Sequence, residues 1–300
     1  MTTIENSGGS GARELRPWGP DSLSWRQGID WRTALTARAV LLLQVAHPVV
    51  GAGVADHSEF LSDRWARIIA TAAATRRFSG LDGPGAALAE GERLREVHRT
   101  ISGVDDRGRK YHALNADAYL WVAATGYWAG SAMRRRHGQE FTPDVEDTLY
   151  TEWTDQARVL RIPERVIPAD RAAFHTYFDT TVAEVLERNR TTDLLLELDR
   201  HPMPPHPRFP MPRWVWNVPA VPVAALLRLT TAGYLPPRLR DRLGIAWDLG
   251  RARRFDALVT AVNSVDHVLP PEAKYPFRNR TTPAAGCPHA GDRSRAGRLR

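Results

Sequence analysis

Apolar side chains recur along this chain every three to four residues rather than every second one, so the pattern predicts helices almost throughout. Trp31 to Ala46 reads as a helix that becomes very apolar toward its end. It should stop near His47-Pro48, because a proline disfavours helix in the residue before it, and resume over Val49 to Ala55. Asp63 to Phe78 is the next predicted helix, with Ser62 or Asp63 as its cap. The breaker-dense run Gly80 to Gly85 is a turn. Ala86 to Ser102 then forms a helix, with Gly103 placed where a C-terminal glycine belongs. Asp117 to Arg136 is long and apolar, and Thr142-Pro143 opens a helix that runs to about Val159. Pro168 to Arg188 carries Phe174, Tyr177, Phe178, Val182 and Leu186 on one side. Residues 201–222 read as proline-rich and irregular, followed by short helices at Ala224 to Thr231 and Pro237 to Leu243 and a long one at Trp247 to Leu269.

Strand-like alternation is almost absent, which predicts an all-α fold with one multi-helix domain over residues 21–272. Residues 1–20 read as a flexible leader and residues 273–300 as a basic, disordered tail. No stretch reaches the ~18 unbroken apolar residues of a membrane span. The nearest, Val215 to Leu235, is interrupted by Pro219, Pro222 and Arg228 and reads as a buried or interfacial element.

Composition narrows the function. One cysteine, Cys287, excludes an internal disulfide framework and any cluster of several thiolates, and a reducing, cytoplasmic setting is the simplest inference. The segment Met1 to Gly11 lacks the basic and apolar regions of a secretion signal. The net charge of +7 invites a nucleic-acid reading. However, Lys110 and Lys274 are the only lysines, the arginines are scattered among acids, and no nucleic-acid-binding motif is present, so no specific nucleic-acid partner is expected. Loose, peripheral contact with anionic membrane surfaces remains compatible with the charge. Nucleotide-binding glycine loops, Gly-x-Ser-x-Gly, His-Glu-x-x-His and Glu-x-x-His are all missing, which removes the common hydrolase, zinc-protease and di-iron signatures.

What remains is His98. Ala87, Gly91, Leu94, His98 and Ile101 fall at helical spacing on one face, while Glu90, Arg93, Glu96 and Arg99 are expected to face water. An imidazole on a dry face needs a partner, which a carbonyl, a carboxylate or a metal would supply. Arg67 and Thr71 lie four apart and share a helical face with Ala74 and Phe78, a pairing suited to an anionic or oxygen-rich group. A heme accounts for the set, with His98 as an axial ligand to iron and Arg67 and Thr71 as polar groups beside it.

Three segments carry a resemblance to a known family. They are the run Ala46-His47-Pro48-x-Val50-x-x-Gly53-Val54-x-x-His57-Ser58-x-Phe60, the Arg67-x-x-x-Thr71 pair, and Val97-His98 followed five residues later by Gly103. Together they resemble the family of the latex-clearing rubber oxygenases and the MpaB-type oxygenases. The likeness extends to Tyr111-His112-Ala113, to Trp121-Val122 and to Leu235-Pro236 through Leu243-Gly244. It implies a globin-like core holding heme b, with iron ligated by His98, functional roles for Arg67 and Thr71, and dioxygen-dependent oxidation of a hydrophobic, isoprenoid- or lipid-like substrate. In rubber oxygenases a lysine can precede the threonine, whereas Ala70 stands here, so rubber cleavage itself is not implied. Asp56, His57 and Glu59 are the nearby acid–base residues. The alternative is a non-catalytic helical protein that binds heme or an apolar ligand.

Overall fold

The computed structural model describes residues 15–27, 30–57, 64–209 and 211–275. The predicted leader up to residue 14, the caps Ser62 and Asp63, Glu59, Cys287 and the tail beyond residue 275 lie outside those residues. The chain order is α1 (Leu23–Gln27), a 3-10 turn (Trp31–Thr36), α2 (Ala37–Ala46), α3 (Pro48–His57), α4 (Arg64–Phe78) and α5 (Pro84–Arg99). Two short strands follow, β1 (Ser102–Val104) and β2 (Lys110–His112), and then α6 (Ala116–Arg136), α7 (Pro143–Val159) and α8 (Arg171–Thr180). The last elements are α9 (Arg190–Leu198), α10 (Arg213–Tyr234), α11 (Pro237–Arg242), α12 (Leu249–Val268) and α13 (Pro271–Lys274). Among the described residues the fold is all-α apart from one two-stranded hairpin.

Local chemistry sets the helix ends. His47 takes an extended conformation, as the following Pro48 requires, and the chain turns through 98° between α2 and α3. Asn115, Asp170 and Asp248 accept backbone N–H bonds at the starts of α6, α8 and α12. Asn189 and Thr192 form a reciprocal capping box on α9. Thr142 precedes Pro143 as expected, although its side chain makes no cap bond.

The core lies where α2, α6, α7 and α8 meet. Leu42, Leu43, Trp121, Ala124, Trp153, Phe174 and Phe178 are all buried there. Buried indoles need an acceptor, and they find backbone carbonyls: Trp121 donates to Leu43 at 2.8 Å and Trp153 to Ala123 at 3.1 Å. Trp128 stacks on Phe178 with ring centroids 5.3 Å apart. Gly91 lets α5 press against the end of α7, since a Cβ there would stand 2.9 Å from the carbonyl oxygen of Val159.

Four expectations are corrected. The His98 helix ends at Arg99, and Gly103 is not its terminal glycine. Gly103 pairs with Tyr111 in the hairpin, where a Cβ would stand 2.8 Å from the tyrosine hydroxyl. Glu90 does not face water. It is 2% exposed and receives charge-assisted hydrogen bonds from Arg77 and Arg93. Residues 213–222 are not irregular, because α10 incorporates Pro219 and Pro222. Helix α9 was not anticipated. By length and composition α10 is also apolar enough to cross a membrane, although 22% of its apolar window is buried inside the molecule.

Candidate functional site

The antiparallel pair α4 and α5, joined by the turn at Gly80–Gly83, carries all three of the singled-out residues. Helix α4 is unusual in having no buried residue. Its alanines, the strongest helix formers, hold it helical, and Arg76 and Arg77 in its last turn complement the helix dipole. Ile68 and Ile69 stand exposed on it. Arg67 and Thr71 are exposed as well, one turn apart, as the spacing predicts.

His98 occupies the last turn of α5 and is half-buried. The Tyr119 hydroxyl, on the first turn of α6, lies 3.1 Å from its Nδ1, and the two rings meet edge-on at 5.4 Å. With Nδ1 engaged, Nε2 is the nitrogen left for a further partner. Burial pushes the His98 pKa below its ordinary value, a backbone hydrogen bond with Leu94 opposes this, and the positive charges of Arg67 and Arg93 reinforce it. The imidazole is thereby held neutral, the form that ligates metals. The effect of Arg67 also shows that the fold brings its guanidinium within electrostatic reach of the ring. Burial raises the Tyr119 hydroxyl to about 12, so it stays uncharged at neutral pH.

The nearby acid–base residues are committed elsewhere. Tyr111 donates to Asp56 at 2.6 Å, tying the end of α3 to the hairpin, and His57 lies edge-on to the same tyrosine. The hollow beside them, between α3, the hairpin and α9, is lined by Asp56, Asp105, Arg109 and Glu187 and contains none of His98, Arg67 or Thr71. Its charges are largely paired, Arg109 with both Asp105 and Glu187. Among the described residues no group of three or more His, Cys, Asp or Glu side chains is arranged to hold a bare metal ion. A single imidazole without a cluster of further donors fits a metal that brings its own macrocycle and takes one ligand from the protein.

Tyr119 was not found from the sequence. It lies 21 residues from His98 within an apolar helix, and no spacing rule links the two.

His47 ends α2 through its backbone N–H, which bonds to Gln44. Its ring is buried, and among the described residues Nδ1 has no hydrogen-bond partner. Burial lowers its pKa from 6.5 to about 4, against the raising influence of Asp117 and Glu187. The unfolded chain therefore binds a proton that the native state refuses as pH falls from 6.5 to 4. The loss across that window is expected to reach about 2–3 kcal/mol. Urea unfolding of wild type and His47→Leu at pH 7 and pH 4.5 checks this, because the variant should lose less stability on acidification. An identical loss in both proteins contradicts the assignment.

The site thus holds one half-buried imidazole bonded to a tyrosine, with Arg67 within electrostatic reach on the neighbouring helix. Residues 25–264 match the family described as ER-bound oxygenase mpaB/B'/Rubber oxygenase, catalytic domain, and the chain belongs to that family. Among curated proteins it is similar to two uncharacterized mycobacterial proteins, one from Mycobacterium bovis and one from Mycobacterium tuberculosis. Each is 26% identical over 181 residues. The match covers 59% of this chain and 65% of each relative, less than two thirds of their length. No solved structure matches the chain.

Proposed function

We propose that this protein is a heme b-dependent oxygenase-type oxidoreductase that acts with dioxygen on a hydrophobic, isoprenoid- or lipid-like substrate. The observation that carries the reading is the half-buried His98 imidazole, hydrogen-bonded at Nδ1 to Tyr119, on the helix that packs against α4. Bound heme supplies the redox-active iron at which dioxygen reacts. His98 would hold the iron through Nε2. Tyr119 fixes the ring's orientation, and burial with Arg67 and Arg93 keeps the ring from protonating. Arg67 contributes a fixed positive charge suited to a propionate or another oxygen anion, and Thr71 adds a hydroxyl one turn away. Ile68 and Ile69 give the helix the apolar surface that a porphyrin or an isoprenoid covers.

The test is an absorption spectrum of protein purified from heme-supplied cells, followed by oxygen-electrode measurements with isoprenoid and fatty-acyl substrates. A Soret band with substrate-dependent oxygen uptake supports the proposal. A Soret band without uptake for any substrate favours the binding-protein alternative, and a protein that stays colourless after heme addition overturns every heme reading and leaves only a binder of apolar ligands.

Tyr119→Phe probes the orienting bond separately. Loss of an outer hydrogen-bond partner typically weakens metal binding about 10–100-fold. The variant is therefore expected to release heme more readily to apomyoglobin and to show a shifted reduction potential. Unchanged release and potential would show that the hydroxyl does not act through His98.

A further inference from the structure

We propose that the N-terminal half of α10 is a docking surface for an anionic lipid bilayer. Trp214, Val218 and Val221 lie at spacings of four and three, so they share one helical face. They are 74%, 73% and 50% exposed. Val215 and Val223 widen the uncovered strip, with Phe209 and Met211 exposed just before it. Patches of this kind mark contact sites.

Charge identifies the occupant. From Arg200 to Arg240 the chain contains six arginines and no acidic residue, in a protein that otherwise mixes the two signs. Arg208 and Arg213 flank the apolar strip, and among the described residues neither is in an ion pair. Exposed tryptophan and phenylalanine beside unpaired arginines match the headgroup zone of a bilayer, where rings bury their apolar bodies and guanidinium groups meet lipid phosphates. A second copy of the chain docked through the same face would place these arginines against their own counterparts.

The helix lies on the surface and does not cross the bilayer. Its C-terminal half is fixed in the protein, with Thr230, Thr231, Ala232 and Tyr234 buried and α10 packed on α2, the 3-10 turn and α12. Trp216 anchors the other side, donating to the Met203 carbonyl at 2.6 Å and meeting Trp65 of α4 edge-on at 6.2 Å. Among the described residues only the outward face is left uncovered.

Co-sedimentation of the full chain with vesicles tests the proposal. Vesicles of phosphatidylglycerol and phosphatidylcholine are expected to bind it at least about tenfold more strongly than phosphatidylcholine alone, and binding should fall with added salt. Val218→Asp, at a position too exposed to disturb folding, should reduce binding to the anionic vesicles by about tenfold or more. Circular dichroism checks that the fold is kept. No binding to either vesicle, or binding that Val218→Asp leaves untouched, overturns the proposal. So does a dimer in sedimentation equilibrium that Val218→Asp dissociates, since a second copy would then cover the face. The wild-type comparison of headgroup and salt stands even if the variant fails to fold.

Discussion

Replacing His98 with alanine is expected to remove the Soret band of heme-loaded protein while leaving the helical fold in place. Both halves of that outcome follow from the geometry. The ring is half-buried at the end of α5 and belongs to no core cluster. Its hydrogen bond to Tyr119 is worth only about 0.5–1.5 kcal/mol. Tyr119 sits in a partly buried environment where water can take over as partner. Loss of the spectrum therefore cannot be attributed to unfolding, and far-UV circular dichroism on the same sample makes the distinction. Added imidazole, free to enter the space left by the truncated side chain, should restore part of the band. A His98→Ala protein with an undiminished Soret band would move the iron ligand elsewhere and end the present assignment.

Trp121→Ala should have the opposite profile, with a large loss of stability. Trp121 is fully buried, packs against Phe178 with centroids 5.1 Å apart, and donates to the Leu43 carbonyl. Truncating a buried tryptophan costs about 3–5 kcal/mol, and a carbonyl deprived of its donor adds to the loss. Against a total stability on the order of 5–15 kcal/mol, the variant should unfold at a much lower urea concentration. Guanidinium or urea titration gives the value directly. A change below about 1 kcal/mol would mean that α6 is not seated on α2 as described.

These two residues also mark what the sequence disclosed. The segment Asp117 to Arg136 read as a long apolar helix, and Trp121 and Trp128, seven apart on it, are core. The corner at His47-Pro48 and the start of α7 at Pro143 were read correctly, because proline leaves the backbone little choice. Elsewhere the decisive contacts are remote. Glu90 shares its heptad side with surface charges, and its burial is made tolerable by Arg93 on its own helix together with Arg77, which approaches from α4. Gly103 stands one turn beyond a helix, where a terminal glycine is common, and its pairing with Tyr111 depends on a strand that follows later. Prolines at 219 and 222 argued against a helix that tertiary packing of its second half sustains. At the site, spacing placed Arg67 and Thr71 on one face of α4 and His98 on the neighbouring helix. Tyr119, which orients the ring, was out of reach of any local pattern. Family likeness supplied the oxygenase class, which no residue spacing could have given.

The prolines inside α10 would also govern how deep the chain sits in a lipid film if it docks there as proposed. Neither Pro219 nor Pro222 has an N–H to give, so the carbonyls of Val215 and Val218 lack their intrahelical donors. In hydrocarbon each would be a bare acceptor with no water to satisfy it. The same stretch that supplies the apolar surface thus sets a floor beneath it. The helix can float among glycerol and headgroups with its valines immersed, but sinking further would strip water from two carbonyls at once. A chain docked at that depth, as proposed, would be shed and recaptured as lipid charge changes.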